Sequence, residues 1–248
     1  MACSRRQFIG SLGGASLSLI LGCASRRGPS CGVAAAVNDF EWSPMEKTLL
    51  GGGGESFSIV TLRDPERKVL RTRARNVPPN MDLEKVAFRM EATMKKAGGV
   101  GIAGPQVGLN VRVATLKLDY KEERSQTIFV CNPSIVERSS ETQEGYEGCL
   151  SIPGMGGIVR RNSWIKIGYS DIQGKRIETE ARGYNAVLWQ HELDHLDGRL
   201  YVDNLLGTLL PMEEVRRLRQ QMEEMKTNPS AWNRQRTGAS QNPIVAML

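Results

Sequence analysis

The sequence predicts an α+β fold with mainly antiparallel sheets. Short runs rich in β-branched residues lie on both sides of segments with helical periodicity, without the regular strand–helix alternation of parallel sheets. The 248 residues, of which 40% are hydrophobic and 24% charged, are enough for one domain with extensions at its ends. A chain of this length builds a core without disulfide bonds, and an odd count of five cysteines does not indicate a disulfide framework.

Six short segments are predicted to be strands, because β-branched and aromatic residues are concentrated in them and turn residues flank them. They are residues 57–62, 110–118, 128–131, 158–159, 164–169 and 176–181. Asn132-Pro133 closes the third segment, and residues 171–175 are typical of a hairpin turn between the last two.

Three segments are predicted to be helices, namely residues 82–97, 184–196 and 212–225. Apolar residues recur at helical spacing from Leu83 to Met94 in the first, and Gly98 follows its end. Asp82 is a candidate N-cap for this helix. Gly198 stops the second helix, and the third is charged and amphipathic.

The positive charge of the chain is concentrated at its N-terminus. Four arginines and no acidic residue in residues 1–38 account for four of the six net positive charges, so the remainder is nearly balanced and no nucleic-acid site is evident. Residues 24–55 are predicted to be a linker because they end in a run of four glycines that begins at Gly51. The catalytic domain is predicted over residues 56–227, and residues 228–248 form a polar tail.

Residues 1–23 resemble a bacterial export signal. Arg5-Arg6, followed by a weakly apolar stretch, is typical of twin-arginine signals, and the stretch ends at Cys23 in a sequence like a lipobox. This stretch is too short and too rich in Gly and Ser for a permanent membrane span. The sequence therefore predicts an exported or membrane-anchored protein with a lipid on Cys23. Two alternatives stay open, an organelle transit peptide or translation that begins at Met45 and leaves the protein in the cytoplasm.

A pair of histidines, His191 and His195, brackets Glu192 in an HExxH pattern on the predicted helix 184–196, and the chain has no other histidine. A spacing of four places both imidazoles on one face of a helix, one turn apart. Two imidazoles in this arrangement can bind one metal ion, and the glutamate between them can act as a base toward water. The pattern therefore predicts a hydrolytic metal site.

A catalytic metal usually has a third protein ligand, and the residues leave three options. Glu213 and Glu214 lie in the sequence range that thermolysin-like proteases use. A third histidine, as in the metzincins, would fall at the position of Tyr201. Cys149 lies between predicted strands, where a loop can direct its thiolate toward the helix, although a small buried cysteine would have the same pattern.

Three segments together resemble the motifs of the peptide deformylases. They are Gly99-Val100-Gly101-Ile102-Ala103-Gly104-Pro105-Gln106, Glu147-Gly148-Cys149-Leu150-Ser151 and Gln190-His191-Glu192-Leu193-Asp194-His195. They occur in the order of that family and at about its spacing, and the resemblance covers about residues 56–226. HExxH alone is shared with unrelated metalloproteases, whereas the three motifs together are highly specific. Ile102 and Gly104 replace the usual Leu and Ala, and we expect little effect on the chemistry.

The resemblance implies a fold in which antiparallel sheets pack around a central HExxH helix, with a helix at the C-terminal end. It also implies that Cys149, His191 and His195 bind one divalent metal. A thiolate with two imidazoles suits Fe²⁺, Zn²⁺, Ni²⁺ or Co²⁺, and this family most often uses Fe²⁺.

The resemblance further implies the roles of the surrounding residues. Glu192 is the general base, while the side chain of Gln106 and the backbone N–H of Leu150 stabilise the oxyanion. The residues expected to contact substrate are Gly99, Val100, Gly101, Val187 and Leu188. The two glycines let a peptide approach as an added strand, and the three apolar side chains either accept methionine or simply pack in the core. Glu147 is expected to pair with Arg161 behind the cysteine loop, or on the surface.

The implied reaction is hydrolysis of the formyl group from the N-terminal formyl-methionine of new peptides, with release of formate. The alternatives are an HExxH zinc peptidase of another kind and a tethered binding lipoprotein with a degenerate site. A cytoplasmic enzyme would work near the ribosome, where formyl-methionine is made. The predicted export signal conflicts with that location, because an exposed thiolate is vulnerable in an oxidising compartment.

Overall fold

Two antiparallel sheets pack against one central helix in the computed structural model, which describes residues 40–79, 81–119 and 124–227. The strands are β1 (Gly101–Ala103), β2 (Val113–Leu118), β3 (Gln126–Arg138), β4 (Thr142–Cys149), β5 (Ile152–Asn162), β6 (Trp164–Ser170), β7 (Arg176–Arg182) and β8 (Leu210–Pro211). The helices are α1 (Pro44–Gly51), α2 (Glu84–Lys96), α3 (Gly183–Leu196) and α4 (Met212–Thr227). This architecture confirms the predicted α+β class and the C-terminal helix.

The larger sheet has the strand order β1-β2-β3-β6-β7, and the smaller has the order β4-β5-β8. Helix α3 contacts strands of both sheets, and its apolar residues complete the core beside the larger one. The fully buried Trp189 and Leu196 lie in that core, with Ile165 and Ile167 of β6. Burial of these large apolar side chains fixes the height and rotation of α3 relative to the larger sheet.

Strand β3 continues through Asn132-Pro133, where the sequence predicted an end. Asn132 has a φ of 50°, and the pairing with β6 shifts register between Cys131 and Ser134. A bulge of this kind admits a proline, which cannot donate to the ladder. The side chain of Asn132 accepts from the Val77 N–H at 2.9 Å and donates to the Val77 carbonyl at 2.8 Å, which fixes the bulge to the preceding loop.

Residues 57–62 belong to neither sheet, so the predicted strand there is wrong. The Val60 N–H donates to the Gln106 carbonyl at 2.8 Å, and the Leu62 N–H donates to the Ser151 carbonyl at 3.1 Å. These partners lie in a 3₁₀ turn and in the turn between β4 and β5, so the segment has the β-rich composition of a strand but does not pair with one. It supports the two loops that carry Gln106 and Ser151.

Residues 40–51 are folded onto the body, which corrects the predicted linker over residues 24–55. Ser43 caps α1 in a capping box with Glu46. The Glu46 side chain is 2% exposed, accepts from the Asn110 N–H at 2.9 Å and pairs with Arg75 at 2.6 Å. Because the cap precedes Met45, a chain that began at Met45 would lack it.

Helix α2 begins two residues later than predicted, at Glu84, and Gly98 follows its end with a φ of 67°. Asp82 lies one residue before the N-cap and accepts from the Glu84 N–H at 3.2 Å. The predicted signal in residues 1–23, the first part of the linker and the tail 228–248 lie outside the described residues. Within the described ranges, no helix combines the length and the apolar character needed to cross a membrane.

Candidate metal centre

Cys149 lies at the end of β4, where the hairpin with β5 is irregular. The register shifts between Gly148 and Cys149, so that Cys149 pairs with Ile152 across a two-residue turn. The Ser151 N–H and the Gln106 side-chain amide each lie 3.4 Å from the Cys149 sulfur. Two N–H donors are therefore directed at one sulfur.

His191 and His195 lie one turn apart on α3 and face this sulfur. Their ring centroids are 4.9 Å apart, and Nε2 of His195 lies 3.2 Å from Sγ of Cys149. One ligand atom from each of Cys149, His191 and His195 lies within 4.8 Å of the other two. The structure therefore brings together the three residues that the sequence suggested as ligands.

The two imidazoles have opposite electrostatic surroundings. Burial lowers the pKa of His195, and the neighbouring His191 and Arg161 lower it further. Burial also opposes a charge on His191, but hydrogen bonds with Cys149 and Glu147 outweigh that effect and raise its pKa well above the ordinary value. A cation shared by the thiolate and both rings would replace the proton that His191 otherwise attracts.

Behind His191, Glu147 and Arg161 form a buried pair. Nδ1 of His191 lies 2.7 Å from Oε2 of Glu147, which leaves Nε2 directed at the metal position. The Arg161 guanidinium holds both Glu147 oxygens, at 2.7 and 2.9 Å, and also contacts Asp194 at 2.5 Å. Glu147 is 5% exposed and Arg161 7%, so this is not a solvated surface pair. Burial raises the pKa of Glu147, but the bonds from Arg161 and His191 reverse that effect and lower it to about 2.

Glu192 extends from α3 beside the ligands and is 2% exposed. Its Oε2 is buried and has no hydrogen-bond partner among the described residues. Burial raises the pKa of Glu192 to about 7. Burying a carboxylate oxygen without a partner costs free energy unless a water or a ligand donates a hydrogen bond to it. This oxygen therefore marks the place where a reacting group would sit.

Gln106 lies in a short 3₁₀ turn, Gly104–Val107, directly after β1. Its Oε1 accepts from the Ala103 N–H at 2.8 Å, which directs Nε2 at Cys149 and at Ser151 Oγ, 3.3 Å away. Gly104 is required here, because a Cβ would lie 2.6 Å from the Val111 carbonyl oxygen. Gly therefore replaces the usual Ala at a position where the neighbouring backbone lies too close for a Cβ.

A cleft of about 500 Å³ opens above these groups. All five residues predicted to contact substrate line it, namely Gly99, Val100, Gly101, Val187 and Leu188. Leu150 lines it too, with its side chain against Gly99. Cys149, His191 and Glu192 also line the cleft, whereas His195 is 1% exposed and lies beneath them. Gly101 is needed for this arrangement, since a Cβ there would overlap the Glu192 carboxylate.

The alternative third ligands lie elsewhere. Neither Glu213 nor Glu214 lines the cleft, and Glu214 pairs with Arg217. The Tyr201 ring stacks on His191 with a centroid distance of 6.1 Å, and its hydroxyl donates to the Met155 carbonyl at 3.3 Å. Tyr201 therefore supports the ring of His191.

Sequence reasoning missed several residues around the site. Ser151 and Asp194 lie inside the recognised motifs, so their motif positions were the available signal. Tyr146, Tyr184, Met212, Arg216 and Arg219 also line the cleft. They come from β4, from the first turn of α3 and from the N-terminal half of α4, and the sequence gives no sign that these segments converge.

Comparisons with known proteins agree with this geometry. A model of the Polypeptide deformylase family matches residues 57–208. A peptide deformylase of Roseiflexus castenholzii is 39% identical over 172 residues, which are 63% of this chain and 93% of that protein. The crystal structure of the peptide deformylase of Thermotoga maritima has 36% identity and a TM-score of 0.57, covering 62% of this chain and 100% of that one.

A third comparison concerns a structure with a peptide bound. The class I type b peptide deformylase of Acinetobacter baumannii, solved with Met-Ala-Ser, has 34% identity and a TM-score of 0.55 and covers 60% of this chain and 98% of that one. The family match spans more than half of this chain and contains the Cys149, His191 and His195 cluster. This chain belongs to the polypeptide deformylase family.

Proposed function

We propose how the residues of this chain carry out the reaction of its family, the hydrolytic removal of the formyl group from N-terminal formyl-methionine. The observation that carries the proposal is the convergence of one thiol, two imidazoles and one unpartnered carboxylate at the base of a single cleft. An HExxH peptidase of another kind is not favoured, since its metal would not need a sulfur ligand at Cys149.

Cys149, His191 and His195 are proposed to hold one divalent metal. The spacing of their ligand atoms, the two N–H donors on the sulfur and the Glu147 contact on His191 support this assignment. Such a metal supplies Lewis acidity that polarises a carbonyl and makes water acidic near neutral pH. We propose Fe²⁺ as the native metal, with Zn²⁺, Ni²⁺ and Co²⁺ as the alternatives that the same donors accept.

Glu192 is proposed as the general base and acid. Its buried carboxylate takes the proton from the water that attacks the formyl carbon. It then passes the proton to the methionine nitrogen as the C–N bond breaks, so that formate and a free amine leave. The Gln106 amide and the Leu150 backbone N–H stabilise the negative oxygen that forms between these two steps.

The substrate is proposed to bind as an added strand along β1. This strand is at the edge of its sheet, and Gly99, Val100 and Gly101 all line the cleft. The methionine side chain then lies against Val100, Val187 and Leu188. Binding of Met-Ala-Ser by the Acinetobacter baumannii relative supports this assignment, since that peptide is the product when formyl-Met-Ala-Ser loses its formyl group.

Formate release from formyl-Met-Ala-Ser by the anaerobically purified full-length chain tests the proposed function. Apoprotein should regain activity with Fe²⁺, Ni²⁺ or Co²⁺. The native metal is identified by measuring the metal content of protein purified without added metal. The same samples should leave internal peptide bonds of an unformylated peptide intact. Peptide cleavage without formate release would contradict the proposal and support the zinc peptidase alternative.

We also propose that residues 1–23 direct the chain to a membrane and that Cys23 carries a lipid. The twin-arginine pattern and the lipobox-like sequence are the support for this proposal. The tagged full-length chain should fractionate with membranes, and Cys23→Ser should release it. A cytoplasmic full-length chain would contradict the anchor and would support a role near the ribosome.

A further inference from the structure

We propose that Arg216 on α4 makes the substrate cleft selective for formyl-methionyl peptides that carry an acidic side chain at their third residue. This inference rests on the proposed function and adds a charge preference to the same cleft. It assigns a specificity role to a helix that contributes none of the proposed catalytic groups.

One face of α4 forms part of the cleft wall. Met212, Arg216 and Arg219 line the cleft, and their spacing of four and three residues places them on the same side of a helix. Val215 and Leu218 are buried on the side that packs against the body. Because those apolar residues anchor the helix, the two arginines are held at the rim of the cleft.

Arg216 is the arginine of this rim that has no hydrogen-bond or ion-pair partner among the described residues, and it is exposed. Arg219 donates to the Tyr146 carbonyl, and the adjacent Arg217 pairs with Glu214 and does not line the cleft. The guanidinium of Arg216 is therefore available to a ligand.

No exposed carboxylate among the described lining residues balances this charge. The acidic residues that line the cleft are Glu147 and Glu192, and both are buried. Arg161 already neutralises Glu147 through two hydrogen bonds. An anionic substrate group at the rim would meet uncompensated positive charge, while a cationic group would be repelled.

The position of the rim indicates which part of a peptide meets Arg216. The formyl carbon must reach Cys149, His191 and Glu192, and the methionine side chain lies against Leu188. The peptide that follows methionine then runs into the remaining space, which Gly154, Tyr146 and α4 border. A side chain there is close to solvent, so its attraction to Arg216 should have the strength of an exposed ion pair and weaken with salt.

The test compares kcat/KM for formyl-Met-Ala-Glu, formyl-Met-Ala-Gln and formyl-Met-Ala-Lys in the metal-loaded full-length chain at low and high salt. The wild-type chain should prefer Glu over Gln, and Gln over Lys, by about two- to fivefold per step at low salt. Arg216→Gln should remove the preference and Arg216→Glu should invert it. Arg217→Gln, the matched control on the same helix, should keep the wild-type ratios.

Equal kcat/KM for the three peptides in the wild-type chain would overturn the inference, as would an equal loss of preference in Arg217→Gln and Arg216→Gln. The second result would mean that the overall charge of α4 acts rather than one residue in the cleft. Failure of the proposed function would look different, because formyl-Met-Ala-Gln would then release no formate at all.

Discussion

Nδ1 of His191 lies 2.7 Å from Oε2 of Glu147, and Arg161 holds both oxygens of that glutamate. The ring of a proposed metal ligand is thus oriented by a carboxylate that is itself held in place. The same Arg161 also lies 2.5 Å from Asp194 on α3, so it joins strand β5 to that helix. The orientation of His191 therefore depends on a buried network of hydrogen bonds that joins β4, β5 and α3.

Glu147→Gln should weaken metal binding by about 10- to 100-fold, because the amide keeps the shape of the carboxylate but loses its charge toward His191 and Arg161. Competition with a chelator measures the metal dissociation constant directly. Glu144→Gln is the matched control, since Glu144 pairs with exposed Arg160 on the same two strands. Equal losses in both variants would show that the buried contact has no special role.

Gly101→Ala should lower kcat/KM by about 100-fold, because the added methyl group would displace the Glu192 carboxylate and the Leu188 side chain. Formate release by the metal-loaded variant provides the measurement. Gly145→Ala is the control, because nothing lies within 4 Å of a Cβ at that position. A Gly101→Ala enzyme with wild-type kinetics would mean that Glu192 is not placed against β1 as described.

Glu46→Gln should lower the free energy of unfolding at neutral pH by about 1–3 kcal/mol, because the buried carboxylate is bonded to the N–H groups of Ser43 and Asn110 and to Arg75. Burial raises the pKa of Glu46, but the hydrogen bonds from Ser43 and Arg75 outweigh it and the pKa lies below its ordinary value. A lowered native pKa means that this stabilisation is present above the pKa of the unfolded chain and is lost as the pH falls through the native pKa.

Urea unfolding of wild-type chain and Glu46→Gln at several pH values checks this sign. The gap in unfolding free energy between them should narrow once the pH falls below the unfolded pKa of about 4.3. Glu41→Gln, a change at an exposed glutamate of the same segment, is the control and should unfold like the wild-type chain. A gap that widens in acid would contradict the account of α1.

Helix α3 was predicted well from the sequence because both features that indicate it are local. The HExxH spacing and the apolar residues around Trp189 depend only on helical periodicity, and α3 is found within one residue of its predicted start. The α+β class followed in the same way from the pattern of short strands.

Other features depend on contacts between distant residues and could not be predicted from spacing. Strand β4 was missed because Thr142–Cys149 has few apolar residues and contains Gly145 and Gly148. Helix α1 was assigned to a linker because its stability comes from Arg75 and Asn110, which bind Glu46 from other parts of the chain. The residues alone left Cys149 as one of three possible third ligands, and only the family resemblance selected it. Its meeting with His195, 46 residues apart, depends on the irregular β4–β5 turn.

The most direct test of the account compares the wild-type chain with Glu192→Gln after both are loaded with the same metal under anaerobic conditions. Metal content and formate release from formyl-Met-Ala-Ser are measured on the same samples. The account predicts equal metal content and a loss of about 10²- to 10⁴-fold in kcat, because the ligands are intact while the proton carrier is gone. Full activity in a metal-loaded Glu192→Gln chain would contradict it.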